Sequence, residues 1–430
     1  MNKNLLLYHL AKYFYMPLIL LFLLSFGYIS FPQIIIGYFL YCIYIKTSSE
    51  THLFYTKTKK NNRIMSLSPD LAKPNFKPHF LFPFVCQQML LCNYIRPKNF
   101  EKLRFRKDSV NEFGVTLYWA FYEDKTENLD DPILFILPGM TGHISDSYVQ
   151  NLIVEGINNG YHVVVYEMRI LNENFGVDEK GWFRYYDDID MCLRHIKSNP
   201  LYKDSKIYAI GGSYGSNNLL FYLGEKNSRY AKDDKMIEAA VSISSPYDLY
   251  LCARLNEGNL AESLIVMLEQ ENSRKISPSI KKCKNLTDFD TDKLINIEDV
   301  KEFDEYFSAR FYGFKNADDY YRGSSATIKL PYIDVPTLCI SSKDDVITPS
   351  KVIPYDDIKM NENIILMVSD TGGHMCFYEN DMFLEPKQWH LKPAFQFLNS
   401  VRQMSKSETR ENLRENLSEI NDGESNVILN

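Results

Sequence analysis

The chain has 430 residues, of which 45% are hydrophobic, so it is long enough for one large domain or for two to three ordinary ones. Its formal net charge of -7 argues against nucleic acid as a partner. The eight cysteines form no C-x-x-C pair and several lie in apolar runs, so we expect buried thiols in a reducing compartment. The sequence contains no cluster with metal-ligand spacing, and we expect neither a metal nor a cofactor.

The first predicted element is an N-terminal membrane anchor. Residues 13–45 carry no charge, and this run of 33 residues exceeds the roughly 18 that indicate a transmembrane helix. Pro32 and Gln33 leave a single pass and a kinked hairpin as alternatives. The basic residues that follow, up to Arg63, favour a cytosolic catalytic domain, with the endoplasmic reticulum as a candidate membrane. A lumenal domain could instead use the sequon at Asn285.

Beyond residue 132, short apolar runs alternate with helical patterns: PILFIL, HVVVYE, KIYAIG, AAVSIS, VPTLCIS and NIILMVS. This order predicts an α/β protein whose mostly parallel sheet is covered by helices on both faces. The predicted parts are the anchor (1–46), a juxtamembrane segment rich in proline and phenylalanine (47–95), a catalytic domain (96–402) with a helical cap (about 249–330), and an acidic tail that we expect to be disordered (403–430).

The segment AIGGSYGSNN places Ser213 between Gly211 and Gly215, directly behind a predicted strand. This is the G-x-S-x-G pattern of a nucleophile elbow, in which a sharp strand-to-helix turn strains the serine backbone and lifts its hydroxyl above the sheet. The N-terminus of the following helix stabilises developing negative charge. The alternative is an ordinary Gly/Ser turn.

A nucleophilic Ser213 requires a histidine and a carboxylate, in the chain order Ser, Asp, His. Asp344 and Asp345 follow the next-to-last predicted strand. We prefer Asp345 because an apolar residue and Pro349 just after it fix the aim of the loop, which leaves Asp344 as a loop or capping residue. His374 follows the last strand, behind two glycines that allow a sharp turn.

The oxyanion hole is predicted from two backbone N–H groups, those of Tyr214, which follows the nucleophile, and of Met140 in the loop PGMTGHISDSYV. His143 in this loop is interpreted as a surface residue, although it could line the pocket. The acidic run around Asp188 is interpreted as the solvated start of a helix rather than a metal site.

These motifs carry a family resemblance. From about Tyr94 to Phe397, the chain resembles the membrane-anchored α/β-hydrolase-domain family of medium-chain phospholipases, monoacylglycerol lipases and yeast medium-chain ester synthases, through PGMTGHISDSYV, GGSYGSN, FDEYFSARFYGFKNADDYYRGSS, SKDDVITP and TGGHMCF. The resemblance implies the α/β-hydrolase fold and the same three catalytic residues as the chain order. Pro138 stands where the family usually has histidine, and EMRIL replaces an N-x-R-G-like stretch, so substrate choice can differ.

The predicted function is a membrane-associated serine hydrolase that cleaves carboxylic acyl esters of lipids through an acyl-enzyme. The expected substrate is a monoacylglycerol or a phospholipid with short to medium acyl chains, held in an apolar tunnel under the cap. The expected partner besides the substrate is the membrane bilayer, which residues 13–45 would bind. Two alternatives stay open: transfer of the acyl group to an alcohol, and a non-catalytic lipid-binding protein. The H-x-x-x-x-D acyltransferase signature is absent, since Glu379 occupies the fifth place after His374.

Overall fold

The computed structural model describes residues 30–407, except for 81, 84, 112–113, 125–127, 141, 170–184, 230–235, 283–288 and 381–385. Nine of the described strands form one sheet, in the order β1-β9-β8-β7-β6-β4-β5-β3-β2. The strands are β1 (Thr51–Phe54), β2 (Leu103–Ser109), β3 (Thr116–Tyr122), β4 (Ile133–Leu137), β5 (His162–Glu167), β6 (Ile207–Gly212), β7 (Ile237–Ile243), β8 (Thr337–Ser342) and β9 (Ile364–Ser369). A separate two-stranded sheet pairs β10 (Tyr378–Asn380) with β11 (Pro386–Gln388).

Strands β4 to β9 run parallel to one another, whereas β1, β2 and β3 pair with their neighbours in the antiparallel sense. All five residues of β4 are buried, and they alternate between two cores. Ile133 and Phe135 pack in one core, while Leu134 and Ile136 pack in the other. Because side chains of a strand point alternately to opposite faces, both faces of the sheet are covered. The predicted α/β class is confirmed.

Helices cover the sheet and connect its strands. In chain order they are α1 (Phe31–Ser48), α2 (Lys59–Leu67), α3 (Pro69–Ala72), α4 (Val85–Tyr94), α5 (Ser147–Asn158), α6 (Tyr185–Ser198), α7 (Tyr214–Arg229), α8 (Leu249–Asn256), α9 (Leu260–Lys282), α10 (Thr291–Ile295), α11 (Val300–Phe303), α12 (Ala309–Phe311), α13 (Ala317–Ser324), α14 (Tyr355–Met360) and α15 (391–407). Short 3₁₀ turns span Phe100–Lys102, Ala326–Tyr332 and Ser350–Val352.

Helices α8 to α13 all lie in the connection between β7 and β8, which is the region predicted as a cap. A π-helical turn, Asp304–Ser308, joins α11 to α12. Such turns are rare and occur frequently at functional sites. The connection therefore supplies the helices that stand above the carboxyl ends of the parallel strands.

Helix α1 contains the second half of the charge-free run, while residues 1–29 lie outside the described part. At its N-terminus, the backbone N–H and the hydroxyl of Ser30 both donate to Gln33 Oε1, at 2.7 and 3.0 Å. Large apolar side chains of α1 are exposed, Phe31 to 66% and Leu40 to 61%. Within the described ranges, no helix is both long and apolar enough to cross a membrane.

The segment that follows α1 is part of the sheet. Strand β1 pairs with the edge strand β9, with Thr51 opposite Ser369. The predicted domain boundary at residue 96 therefore does not coincide with the start of the sheet. At the other end, α15 continues to residue 407, so the first five residues of the predicted disordered tail are helical, and the rest of that tail lies outside the described residues.

Candidate active site

Ser213 lies on the sharp turn between β6 and α7. Its φ is +52°, in the left-handed region that an L-residue rarely adopts. A Cβ on Gly211 would lie 2.5 Å from the Cα of Ser216, and one on Gly215 would collide with the carbonyl oxygens of Leu137 and Pro138. Only glycine allows these close approaches. The predicted strained elbow, with glycine on both sides, is present.

The three predicted catalytic side chains meet at the carboxyl ends of β6, β8 and β9. His374 Nε2 lies 2.8 Å from Ser213 Oγ, and His374 Nδ1 lies 2.8 Å from Asp345 Oδ2. The Asp345 carboxylate is buried, whereas the His374 side chain is 14% exposed. This arrangement can pass a proton from the hydroxyl to the ring while the carboxylate holds the ring.

The loop after β8 holds the Asp345 carboxylate with three further hydrogen bonds. The backbone N–H groups of Ile347 and Thr348 donate to Oδ1, at 2.8 and 2.9 Å. The Thr348 hydroxyl donates to Oδ2, at 2.5 Å. These three hydrogen bonds fix the orientation of the carboxylate. Sequence reasoning missed Thr348, although an Asp followed three residues later by Thr is a recognisable turn signal.

The loop that carries His374 is held by backbone bends and by Asp344. Gly372 and Gly373 have φ values of +144° and +61°. The Gly373 N–H donates to Asp344 Oδ1 at 2.8 Å, and the Ser342 hydroxyl donates to the Gly373 carbonyl at 3.0 Å. Burial raises the pKa of Asp344 to about 6. Asp344, predicted as a loop or capping residue, thus connects the aspartate and histidine loops.

Met140 and Tyr214, the predicted oxyanion-hole residues, line the same pocket as Ser213. Tyr214 is the first residue of α7, and the N–H groups of a first helical turn have no acceptor within the helix. The loop before Met140 is held by Tyr148, whose hydroxyl accepts a 2.9 Å hydrogen bond from the Gly139 N–H. The donor roles of the two amides stay a prediction.

The pocket runs from Ser213 into the helices of the β7–β8 connection. Apolar side chains of that connection form much of its wall, including Leu249, Ile265, Val300 and Phe307. The Tyr214 hydroxyl lies 2.7 Å from the Tyr320 hydroxyl, so the elbow and helix α13 are directly joined. Helices of the β7–β8 connection therefore line the pocket that contains the nucleophile.

Two interpretations of nearby polar residues have different outcomes. The His143 side chain is 42% exposed and lies 3.3 Å from Glu167, as expected for a surface residue. Asp188 was wrongly interpreted as solvated: it is buried and forms a bidentate ion pair with the buried Arg169, while Tyr166 donates a further bond. The carboxylate is buried because Arg169, within the EMRIL stretch, compensates its charge. Among the described residues no group of His, Cys, Asp and Glu could hold a metal ion.

No family model matches the sequence. Comparison with curated proteins finds an embryogenesis-associated protein of Picea glauca, 27% identical over 71% of this chain and 68% of that protein. Phospholipase ABHD3 of Homo sapiens is 28% identical over 62% of this chain and 64% of its own length. A monoacylglycerol lipase of Saccharomyces cerevisiae is 28% identical over 65% of this chain and 62% of its own length. The predicted resemblance to the α/β-hydrolase-domain group is confirmed.

These α/β-hydrolase-domain relatives support the predicted class of enzyme, a carboxylic-ester hydrolase. The chain spans about two thirds of the length of the relatives it matches.

Solved esterase structures match as well. An esterase of Pyrococcus furiosus has a TM-score of 0.42 and 16% identity, covering 71% of this chain and 95% of that one. Est1E of Butyrivibrio proteoclasticus has a TM-score of 0.42 and 14% identity, covering 69% of this chain and 99% of that one.

Proposed function

We propose that the chain is a serine hydrolase that cleaves carboxylic acyl esters of lipids. The observation that carries this proposal is the hydrogen-bonded series Ser213, His374 and Asp345, whose serine lines a pocket with largely apolar walls. The relatives named phospholipase and monoacylglycerol lipase agree with a lipid substrate.

In the proposed reaction, His374 Nε2 takes the proton of Ser213 as Oγ attacks the ester carbonyl carbon. The N–H groups of Met140 and Tyr214 stabilise the oxyanion, and Asp345 stabilises the protonated ring. The C–O bond to the alcohol then breaks, and the ring returns the proton to the departing alcohol. Water, deprotonated by His374, attacks the acyl-enzyme, and the acid leaves as Ser213 recovers its proton.

The proposed substrate is a monoacylglycerol or a phospholipid with short to medium acyl chains, reached at a membrane. Helix α1 supports this, because its exposed apolar side chains offer a surface that lipid would cover. We retain the proposal that residues 13–45 attach the chain to the bilayer, with the catalytic domain on the cytosolic side.

Acyl transfer to an alcohol is the second candidate, since it uses the same acyl-enzyme. A relative of Saccharomyces cerevisiae is named medium-chain fatty acid ethyl ester synthase/esterase 2, and it is 27% identical over 71% of this chain. If the pocket excludes water and admits alcohol, ethyl esters form in place of free acid.

The test is fatty-acid release from detergent-dispersed monoacylglycerols, phospholipids and simple esters of graded chain length, with and without ethanol. Ser213→Ala should lower release by about 10⁴-fold or more, because the nucleophile is removed while the pocket remains. Ser66→Ala, which changes an exposed serine on α2, is the matched control and should leave release unchanged. Equal turnover by wild type and Ser213→Ala would refute the proposal, and ethyl ester without acid would favour transfer.

A further inference from the structure

The part of the candidate catalytic pocket that is lined by α9 and the π-helical turn, here named its inner end, carries carboxyl groups, although an apolar tunnel is predicted there. Glu269 on α9 and Asp304 on the π-helical turn both line the pocket that contains Ser213. Glu269 is only 2% exposed, and Asp304 is 7% exposed. Acyl binding does not require either carboxyl group, and burying one costs free energy unless a partner compensates it.

Two acceptor atoms at this end have no hydrogen-bond partner among the described residues. They are Glu269 Oε2 and Asn272 Oδ1, on adjacent turns of α9. Asn272 is 5% exposed and lines the same pocket. Because buried oxygen atoms are nearly always paired, this end of the pocket is complementary to a ligand that donates hydrogen bonds or carries positive charge.

The charges of the pocket are of one sign. Glu262, Glu269 and Asp304 line it, and the described lining residues include no Lys, Arg or His. Burial, and then the neighbouring Asp304, raises the pKa of Glu269, and burial raises the pKa of Asp304. Both shifts have the direction expected for acids that lack a cation. A bound cation would favour the ionised form of these acids, whereas a phosphate group would meet no Lys, Arg or His in the described lining.

Aromatic rings line the same pocket as these carboxyl groups. Tyr312 and Tyr320 stack with centroids 5.7 Å apart, and Phe303 and Phe307 lie 5.6 Å apart. All four residues line the pocket. The faces of aromatic rings attract cations, and ammonium groups are commonly recognised by rings together with a carboxylate. The π-helical turn contributes both a ring, that of Phe307, and the acid Asp304 to the same wall.

We propose that the inner end of the pocket is a subsite for an organic ammonium group, held by Glu269, Asp304 and Asn272 and by the surrounding rings. The preferred substrate is then an ester whose acyl or alcohol part carries a quaternary or protonated amine without a phosphate, and it takes the place of the phospholipid among the substrates proposed above. This identification of a substrate rests on the proposed ester hydrolysis, whereas the binding of the ammonium group does not.

The test compares two probes of the same shape, 3-hydroxyphenyltrimethylammonium and the neutral 3-tert-butylphenol. Calorimetry measures their binding to the full chain, both wild type and Ser213→Ala. We expect the cation to bind about tenfold or more tightly than the neutral probe to both proteins. Glu269→Gln, which keeps the shape and removes the charge, should bring the ratio of affinities close to one. Asp304→Asn should also lower it.

The matched control is Glu271→Gln, an exposed position on the same helix whose carboxylate pairs with Arg274 and does not line the pocket. This variant should keep the wild-type ratio. Equal affinities of the two probes for the wild type would overturn the proposal, as would an unchanged ratio in Glu269→Gln and Asp304→Asn. If these variants fail to fold, the wild-type ratio decides. Loss of the proposed hydrolysis would appear separately, as absent acid release with ammonium binding intact.

Discussion

Single residues hold the candidate active site in its geometry. Chain order predicts Ser213, Asp345 and His374, and the structure places them within hydrogen-bond distance. Chain order does not predict which side chains orient the carboxylate and the histidine loop. Thr348 and Asp344 do so through contacts whose strength depends on burial and on exact distances.

Thr348→Val tests the hydroxyl that binds Asp345 Oδ2. The change keeps the shape and the backbone N–H but removes a hydrogen bond to a charged group, worth about 1.5 to 3 kcal/mol. We expect kcat/KM for ester hydrolysis to fall about tenfold or more and the melting temperature to fall by a few degrees, because the bond also stabilises the folded state. Thr56→Val, at an exposed site, is the control. Unchanged kcat/KM would show that Asp345 does not depend on this bond.

Asp344→Asn tests the raised pKa of Asp344, about 6 in the folded chain. A raised pKa means that ionisation disfavours the folded state, so wild-type stability is lost as pH rises through about 6. We therefore compare the free energy of unfolding of Asp344→Asn with that of wild type. The variant's advantage should be about 1 to 3 kcal/mol larger at pH 8 than at pH 4, since the Asp344 side chain is only partly exposed. Urea unfolding of both proteins at pH 4 and pH 8 measures these free energies. If the difference between variant and wild type were equal at the two pH values, the prediction would be contradicted.

At the scale of elements, the site depends on how closely the β6–α7 turn approaches the end of β4. Sequence reasoning predicts the strand, the turn and the helix from local periodicity. The role of Gly215 is only partly local, because a Cβ there would collide with β4 and with the residue after it. That contact joins residues far apart in the chain, which periodicity does not describe.

Gly215→Ala should lower the free energy of unfolding by about 1 to 3 kcal/mol and reduce esterase turnover, because the end of β4 must move away from the turn. Urea unfolding and kcat for a soluble ester are the measurements. Gly37→Ala is the matched control: a Cβ at Gly37 meets nothing within 4 Å, so this change in α1 should be neutral or slightly stabilising. Equal stabilities of the two variants would refute the close-contact argument.

At the scale of the whole molecule, α1 and β1 connect the candidate membrane-contacting part to the sheet. Helix α1 exposes apolar side chains, and β1 follows it directly and pairs with β9, the strand that leads to His374. The catalytic sheet is thus held within a few residues of the helix that we propose lies at the bilayer.

Replacing two exposed side chains of α1, Ile36→Glu together with Leu40→Glu, should weaken binding of the full chain to phosphatidylcholine vesicles. Both positions are more than half exposed, so the folded domain should tolerate the charges while insertion of the helix becomes unfavourable. Co-sedimentation measures the bound fraction. Met360→Glu, at a site that is 86% exposed outside α1, should bind like wild type. Equal binding by all three proteins would exclude α1 as a contact.

The sequence by itself determined the class of fold, the elbow serine and the order of its partners. These depend on local patterns: apolar runs of strand length, glycines beside a serine, and polar residues that follow strands. Only the tertiary structure decided that Arg169 compensates Asp188 and that Glu269 and Asp304 share a pocket. Burial and the pairing of charges arise between segments distant in the chain, and no local pattern encodes them.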